Sequence, residues 1–221
     1  MIRTILILII SFSFFCGEAN AQKITMKEVS SISWPEKVWA IFHPFVVARA
    51  YKITKHVERY IQEMPLDSVI DGDNNGGNSD AFRHAFWMAS LSRKISRHKA
   101  LSLGRAHERG NKRMFYKRQL EDGALPDEPS SAMDLENNKI GVNIGYRLKK
   151  VSEQVLVDSI KQAIAQGALW RLKKDSAGIF YDLYGKAIDL KLYRAKWENP
   201  KCLIKTYPLK NLTTQRGIPA T

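Results

Sequence analysis

The stretch DGDNNGGNSDAFRHAFWMAS, residues 71–90, changes character halfway along. Its first half is aspartate, asparagine and glycine, residues that make turns by their own backbone chemistry. From Asp80 the spacing becomes helical: Asp80, His84, Trp87 and Leu91 follow an i, i+4, i+7, i+11 stripe. Beside it, Ala81, Ala85 and Ala89 form a strip of small residues that lets another helix approach closely. A loop delivering a packed helix over about 80–96 is therefore expected, capped by Asn78 or Ser79.

Upstream, Trp34-Pro35-Glu36 marks a helix start with proline in the first turn. Pro44 breaks or kinks that helix after His43, and helical spacing resumes from Phe45 to about Gln62. Downstream, a helix is expected over about 99–119, and a loop follows with Gly123, Pro126 and Pro129. Ser130 or Ser131 caps the next helix, which reaches about Lys150, and Ser152 opens another that stops at Gln166-Gly167. The segment 169–190 alternates bulky and polar residues around two glycine turns, the pattern of a small β-hairpin or meander. Residues 191–221 read as an extended tail. The fold class is mainly α: a compact multi-helix domain over 22–168 with a small C-terminal β appendage.

Residues 1–21 read as a signal peptide. Arg3 supplies the positive start, Thr4 to Phe15 the apolar run, and Ala19-Asn20-Ala21 the small-x-small cut site. Export to the periplasm or the extracellular space is the expected localisation. Cleavage would remove Cys16 and leave Cys202 alone, so no disulfide within the chain is expected.

The formal charge is +13, from 35 Lys and Arg against 22 Asp and Glu. Residues 93–118 concentrate the excess: Arg93, Lys94, Arg97, Lys99, Arg105, Arg109, Lys112, Arg113, Lys117 and Arg118 face one acid, Glu108. Such a face is either solvated beside the acidic stretch from Glu121 to Glu136, or a surface for anions. The anions in view are lipid, wall polymer and, on charge alone, nucleic acid.

Asp71-Gly72-Asp73-Asn74-Asn75-Gly76 matches the first half of an EF-hand loop. The second half fails, because position twelve, normally a bidentate glutamate, is Phe82. A plain turn is the favoured reading. His107-Glu108 is half of a zincin motif, but H-E-x-x-H would need a histidine where Asn111 stands. In MDLENNKIGVNIGYRL, Asp134, Asn138, Gly141 and Gly145 share one stripe, and Asn137 lies on the next. Asparagines and glycines weaken a helix. They are reasonable where the face meets another backbone or carries carboxamides into a polar site.

Three helices thus carry polar residues on faces that would normally pack: Asp80, Arg83 and His84; His107 and Glu108; Asp134, Asn137 and Asn138. Together they suit a divalent metal held by His84, His107, Glu108 and Asp134, or a histidine–carboxylate acid/base pair. They equally suit a buried structural network. The blocks DAFRHAFW, AHE and MDLENNKIGVNIG resemble an uncharacterised family of exported bacterial domains, a domain of unknown function. The resemblance covers about 70–150. It implies a helical domain with a site at these same eight residues, and implies no activity. Arg83-His84 after a glycine-rich loop is also weakly similar to secreted phospholipases A2. Ala85 stands where their partner aspartate would be, and their paired cysteines are missing.

The leading expectation is a hydrolase acting on a phosphoester or acyl ester of an anionic substrate. His84 would act as base or metal ligand oriented by Asp80. Asn137 and Asn138 would donate to developing negative charge. A non-enzymatic envelope-binding module and a nuclease or toxin-like effector are the alternatives.

Overall fold

A computed structural model describes residues 32–121 and 123–207. The expected signal peptide and cut site lie outside the described residues. Among the described residues the fold is mainly helical, with six α-helices and a two-stranded antiparallel sheet near the C-terminus. The helices are α1 (Trp34–Phe42), α2 (Pro44–Glu63), α3 (Asn78–Lys94), α4 (Arg97–Tyr116), α5 (Glu128–Arg147) and α6 (Glu153–Ala165). Strand β1 is Trp170–Leu172 and β2 is Leu203–Lys205. No helix among the described residues is long and apolar enough to cross a membrane.

Local chemistry sets most of the boundaries. Ser33 and Glu36 form a reciprocal capping box on α1, with Pro35 in its first turn. Pro44 ends α1 at His43 and begins α2. Ser96 and Ser152 cap α4 and α6 through Lys99 N–H and Val155 N–H. Asp127, rather than Ser130 or Ser131, caps α5, accepting from Ser130 N–H at 3.0 Å.

Helix α3 is the axle of the domain. It packs against α2, α4, α5, α6 and β1. Phe82, Phe86, Met88 and Leu91 are wholly buried, with Leu156, Ile160 and Ile164 of α6 in the same core. Burying each such side chain contributes about 1.5–3 kcal/mol. The alanine strip of α3 meets the glycines of α5. A Cβ on Gly141 would stand 2.7 Å from Ala85 Cα, and one on Gly145 would stand 2.6 Å from Ala89 Cα.

The loop before α3 is a turn held by its own aspartates. Asp71 accepts from Asp73, Ser79 and Asn78 N–H at 3.0, 2.9 and 2.9 Å. It therefore caps α3 from seven residues upstream, and neither Asn78 nor Ser79 does so. Asp73 pairs with Lys174. Their oxygens are taken, as the turn reading expects. Asp71→Ala should lower stability by about 2 kcal/mol, read as an earlier urea midpoint. Calcium should leave the melting temperature unmoved. A calcium-dependent rise that Asp71→Ala abolishes would restore the cation reading of the loop.

The β appendage is arranged differently from a hairpin within 169–190. Strand β1 pairs with β2, Trp170 opposite Lys205 and Leu172 opposite Leu203, so the sheet draws its second strand from the segment expected as tail. Within 169–190 the meander is reduced to single bridges, Lys174–Phe180 and Tyr181–Ala187. Asp175 and Asp182 tie their turns through backbone N–H groups, which closes the chain too tightly for longer ladders. The sheet is fastened to the helices by Asn137, which donates to Trp170 C=O and accepts from its N–H, both at 2.9 Å.

Candidate active site

Helices α3, α4 and α5 bring the polar faces together, as their spacing suggested. Asp80, His84, Glu108, Asp134, Asn137 and Asn138 are all buried. With His107, the titratable residues among them fall into three groups by their partners.

The first group lies between α3 and α5. His84 Nε2 stands 3.4 Å from Asp134 Oδ1 and 3.6 Å from Asp80 Oδ1. Asp80 does not simply orient His84: Arg83 donates to the same Oδ1 at 2.6 Å and lies 3.3 Å from His84 Nε2. The other Asp80 oxygen accepts from Gly76 N–H at 2.8 Å. Burial holds the His84 imidazole well below its ordinary pKa, with the Arg83 charge acting in the same direction. Burial pushes the Asp134 carboxyl well up, reinforced by the neighbouring Asp80 carboxylate, and raises Asp80 despite Arg83.

The second group centres on Glu108. It is buried, not solvated. One of its oxygens accepts from Ser131 Oγ at 2.7 Å and Asn111 Nδ2 at 3.2 Å. Burial raises its carboxyl to a pKa of about 7.

The third group holds His107 apart from the expected metal set. Its Nδ1 faces Glu36 Oε1 at 3.2 Å and its Nε2 faces Glu121 Oε1 at 3.0 Å. Burial disfavours the imidazolium, yet the two carboxylates raise His107 well above its ordinary pKa. Glu36 falls to about 2 against its own burial, through the His107 contact. The His107 ring still lies 6.2 Å from that of His84, with Trp87 packed edge-on to both.

Asn137 gives its carbonyl oxygen and one amide N–H to β1. Asn138 lies against His84 and beneath Gly104, where a Cβ would come 2.9 Å from Asn138 Nδ2. Glu36, Ser131 and Glu121 were not anticipated as site members. Glu121 alone carried a signal, as the first acid after the basic run.

Asp80, Arg83, Asp134 and Glu121 line a cavity of about 20 Å³, walled by Asn74 and Asn75 of the turn and by Leu125 and Pro126. It has room for a water-sized occupant. Among the described residues, the group able to share a metal ion is Asp80, His84 and Asp134. Of the expected set of His84, His107, Glu108 and Asp134, His107 and Glu108 have partners of their own.

A helical bundle with a buried carboxylate–imidazole centre beside a small cavity is the class that fold and site define. The chain belongs to the family described as a domain of unknown function, DUF6973, whose model matches residues 37–168. The match extends beyond the three motif blocks to take in α2, α6 and most of α1. No curated protein and no solved structure matches the chain.

Proposed function

We propose that the protein is an exported hydrolase acting on an ester, phosphoester first, within an anionic substrate. The observation that carries this is the gathering of Asp80, Asp134 and the Arg83 guanidinium on one water-sized cavity. A water there would lie beside two carboxyl groups, and either of them, once ionised, could take its proton. Arg83 faces the same space and offsets negative charge building on the ester oxygen. His84 stands behind Asp80 and Asp134 and positions them. The exposed lysines and arginines of α4 draw anionic substrate toward the domain.

The test is hydrolysis of chromogenic phosphodiester, phosphomonoester and acyl-ester substrates by the full chain. Asp134→Asn should lower the rate about 10³-fold with the fold intact by circular dichroism. Unchanged turnover in Asp134→Asn, or no turnover of any ester by the wild type, would sink the assignment.

One feature favours a second reading, an envelope-binding module. Arg105, Arg109, Lys112 and Arg113 are exposed along one face of α4. Among the described residues, no ion pair joins them to a carboxylate, and Glu121, Asp127 and Glu136 pair instead with His107, Lys201 and Lys139. That reading predicts salt-sensitive binding to anionic vesicles that Asp134→Asn leaves intact.

A further inference from the structure

His84 Nε2, one oxygen of Asp80 and one of Asp134 all lie within 4.8 Å of one another. Ligands 2.0–2.2 Å from a shared tetrahedral ion stand about 3.3–3.6 Å apart. The two distances from His84 Nε2, 3.4 and 3.6 Å, fall in that range. We propose that Asp80, His84 and Asp134 bind one divalent transition-metal ion of the Zn²⁺ or Mn²⁺ kind.

The donor set argues for that class. An imidazole nitrogen selects against Ca²⁺ and Mg²⁺, and two carboxylates without a thiolate select against soft ions. Once ionised, two carboxylates beside a single arginine also give the knot negative charge for an ion to neutralise.

Unpartnered atoms supply the independent observation. Asp134 Oδ1, His84 Nδ1 and both amide atoms of Asn138 are buried without a hydrogen-bond partner. Such groups are rare in native proteins, and several in one knot point to an ion or water. An ion on His84 Nε2 would engage Asp134 Oδ1 directly. It would also fix the Nδ1–H tautomer, and the neighbouring Asn138 carboxamide could then accept that proton, the outer support that metal-bound histidines usually have. Asp80 and Asp134 line the cavity as well, so the ion keeps an open position there.

Arg83 is the competitor. Its guanidinium touches Asp80 Oδ1 and approaches His84 Nε2, the atoms an ion would take. Its side chain also reaches the cavity wall, which gives it somewhere to turn. An ion and this arginine therefore oppose each other.

As a binding site the centre stands alone; as the place where water is activated, it rests on the hydrolytic reading. The experiment is calorimetric titration of the chelator-stripped full chain with Zn²⁺, Mn²⁺, Ca²⁺ and Mg²⁺, with thermal melts alongside. One Zn²⁺ or Mn²⁺ per chain should bind and raise the melting temperature. The isosteric Asp134→Asn and Asp80→Asn, checked for fold by circular dichroism, should weaken binding more than about 100-fold. Arg83→Gln should bind as tightly or more tightly.

Lack of saturable one-to-one binding, binding of only Ca²⁺ or Mg²⁺, or equal affinity in Asp134→Asn overturns the site. So does a loss in Arg83→Gln as deep as in Asp134→Asn. If the ion binds and the loaded protein cleaves no ester, the hydrolytic reading fails while the site stands. If the stripped protein cleaves esters at full rate, the ion's part in the reaction fails and hydrolysis stands.

Discussion

Gly141→Ala is expected to cost about 3 kcal/mol or more, read as a large drop in the urea midpoint. On an exposed helix the same change would stabilise by about 1 kcal/mol, because alanine favours helix more than glycine does. Here the added methyl would stand 2.7 Å from Ala85 Cα. The obstacle is backbone, which cannot rotate aside as a side chain does. Helix α3 cannot retreat, since α2, α4 and α6 pack around it. Helix α5 must therefore move, carrying Asp134 away from His84. Ala85→Gly should not rescue the variant, because the clash is with the Ala85 main chain. Lys139→Ala, on the exposed side of α5, should change stability by less than about 0.5 kcal/mol. A Gly141→Ala protein as stable as wild type would mean that α3 and α5 are not in contact there.

That contact was legible in the sequence from both sides. Ala81, Ala85 and Ala89 and, 56 residues beyond the last two, Gly141 and Gly145 form matching small-residue strips at helical spacing. Neither strip has a good reason to exist on a solvated face. The convergence of Asp80, His84, Glu108 and Asp134 was legible in the same way, as polar residues on faces that pack. Spacing along a helix reports which way a side chain points. It does not report which partner it meets. His107 is held by Glu36 and Glu121, 71 and 14 residues away in sequence, and no periodicity links them. Arg83 takes the Asp80 oxygen meant for His84 because a guanidinium reaches sideways off its own stripe. Strand β2 is three residues long, too short for an alternating pattern to show, so its pairing with β1 depends on tertiary packing.

Glu108→Gln is expected to stabilise the chelated protein by about 2–3 kcal/mol at pH 8 and to change little at pH 5. In the unfolded chain this carboxyl ionises near 4.5, whereas burial in the folded chain holds its proton up to about 7. Between those values the folded state binds the extra proton. Wild-type stability should therefore fall as the pH rises from about 4.5 to 7 and then level off, a loss on the order of 3 kcal/mol. Glutamine removes the ionisation. Its carbonyl can still accept from Ser131 and Asn111, and its NH₂ replaces an oxygen that has no partner. His107, whose pKa is raised, adds stability that is present below its unfolded value and is lost through its folded one. That slope runs the same way in both proteins; because the Glu108 charge also helps to raise His107, the difference between their curves reports Glu108 together with its coupling to His107. Parallel curves would show that Glu108 ionises normally despite its burial. The outcome also bears on function. A buried acid titrating near neutrality weakens the fold at the pH where a proton-handling group is most useful. If Glu108→Gln is more stable but hydrolyses no ester, the carboxyl is retained for chemistry at the cost of stability. If it is more stable and fully active, Glu108 belongs to the packing of α4 against α5, and the reaction lies with Asp80 and Asp134.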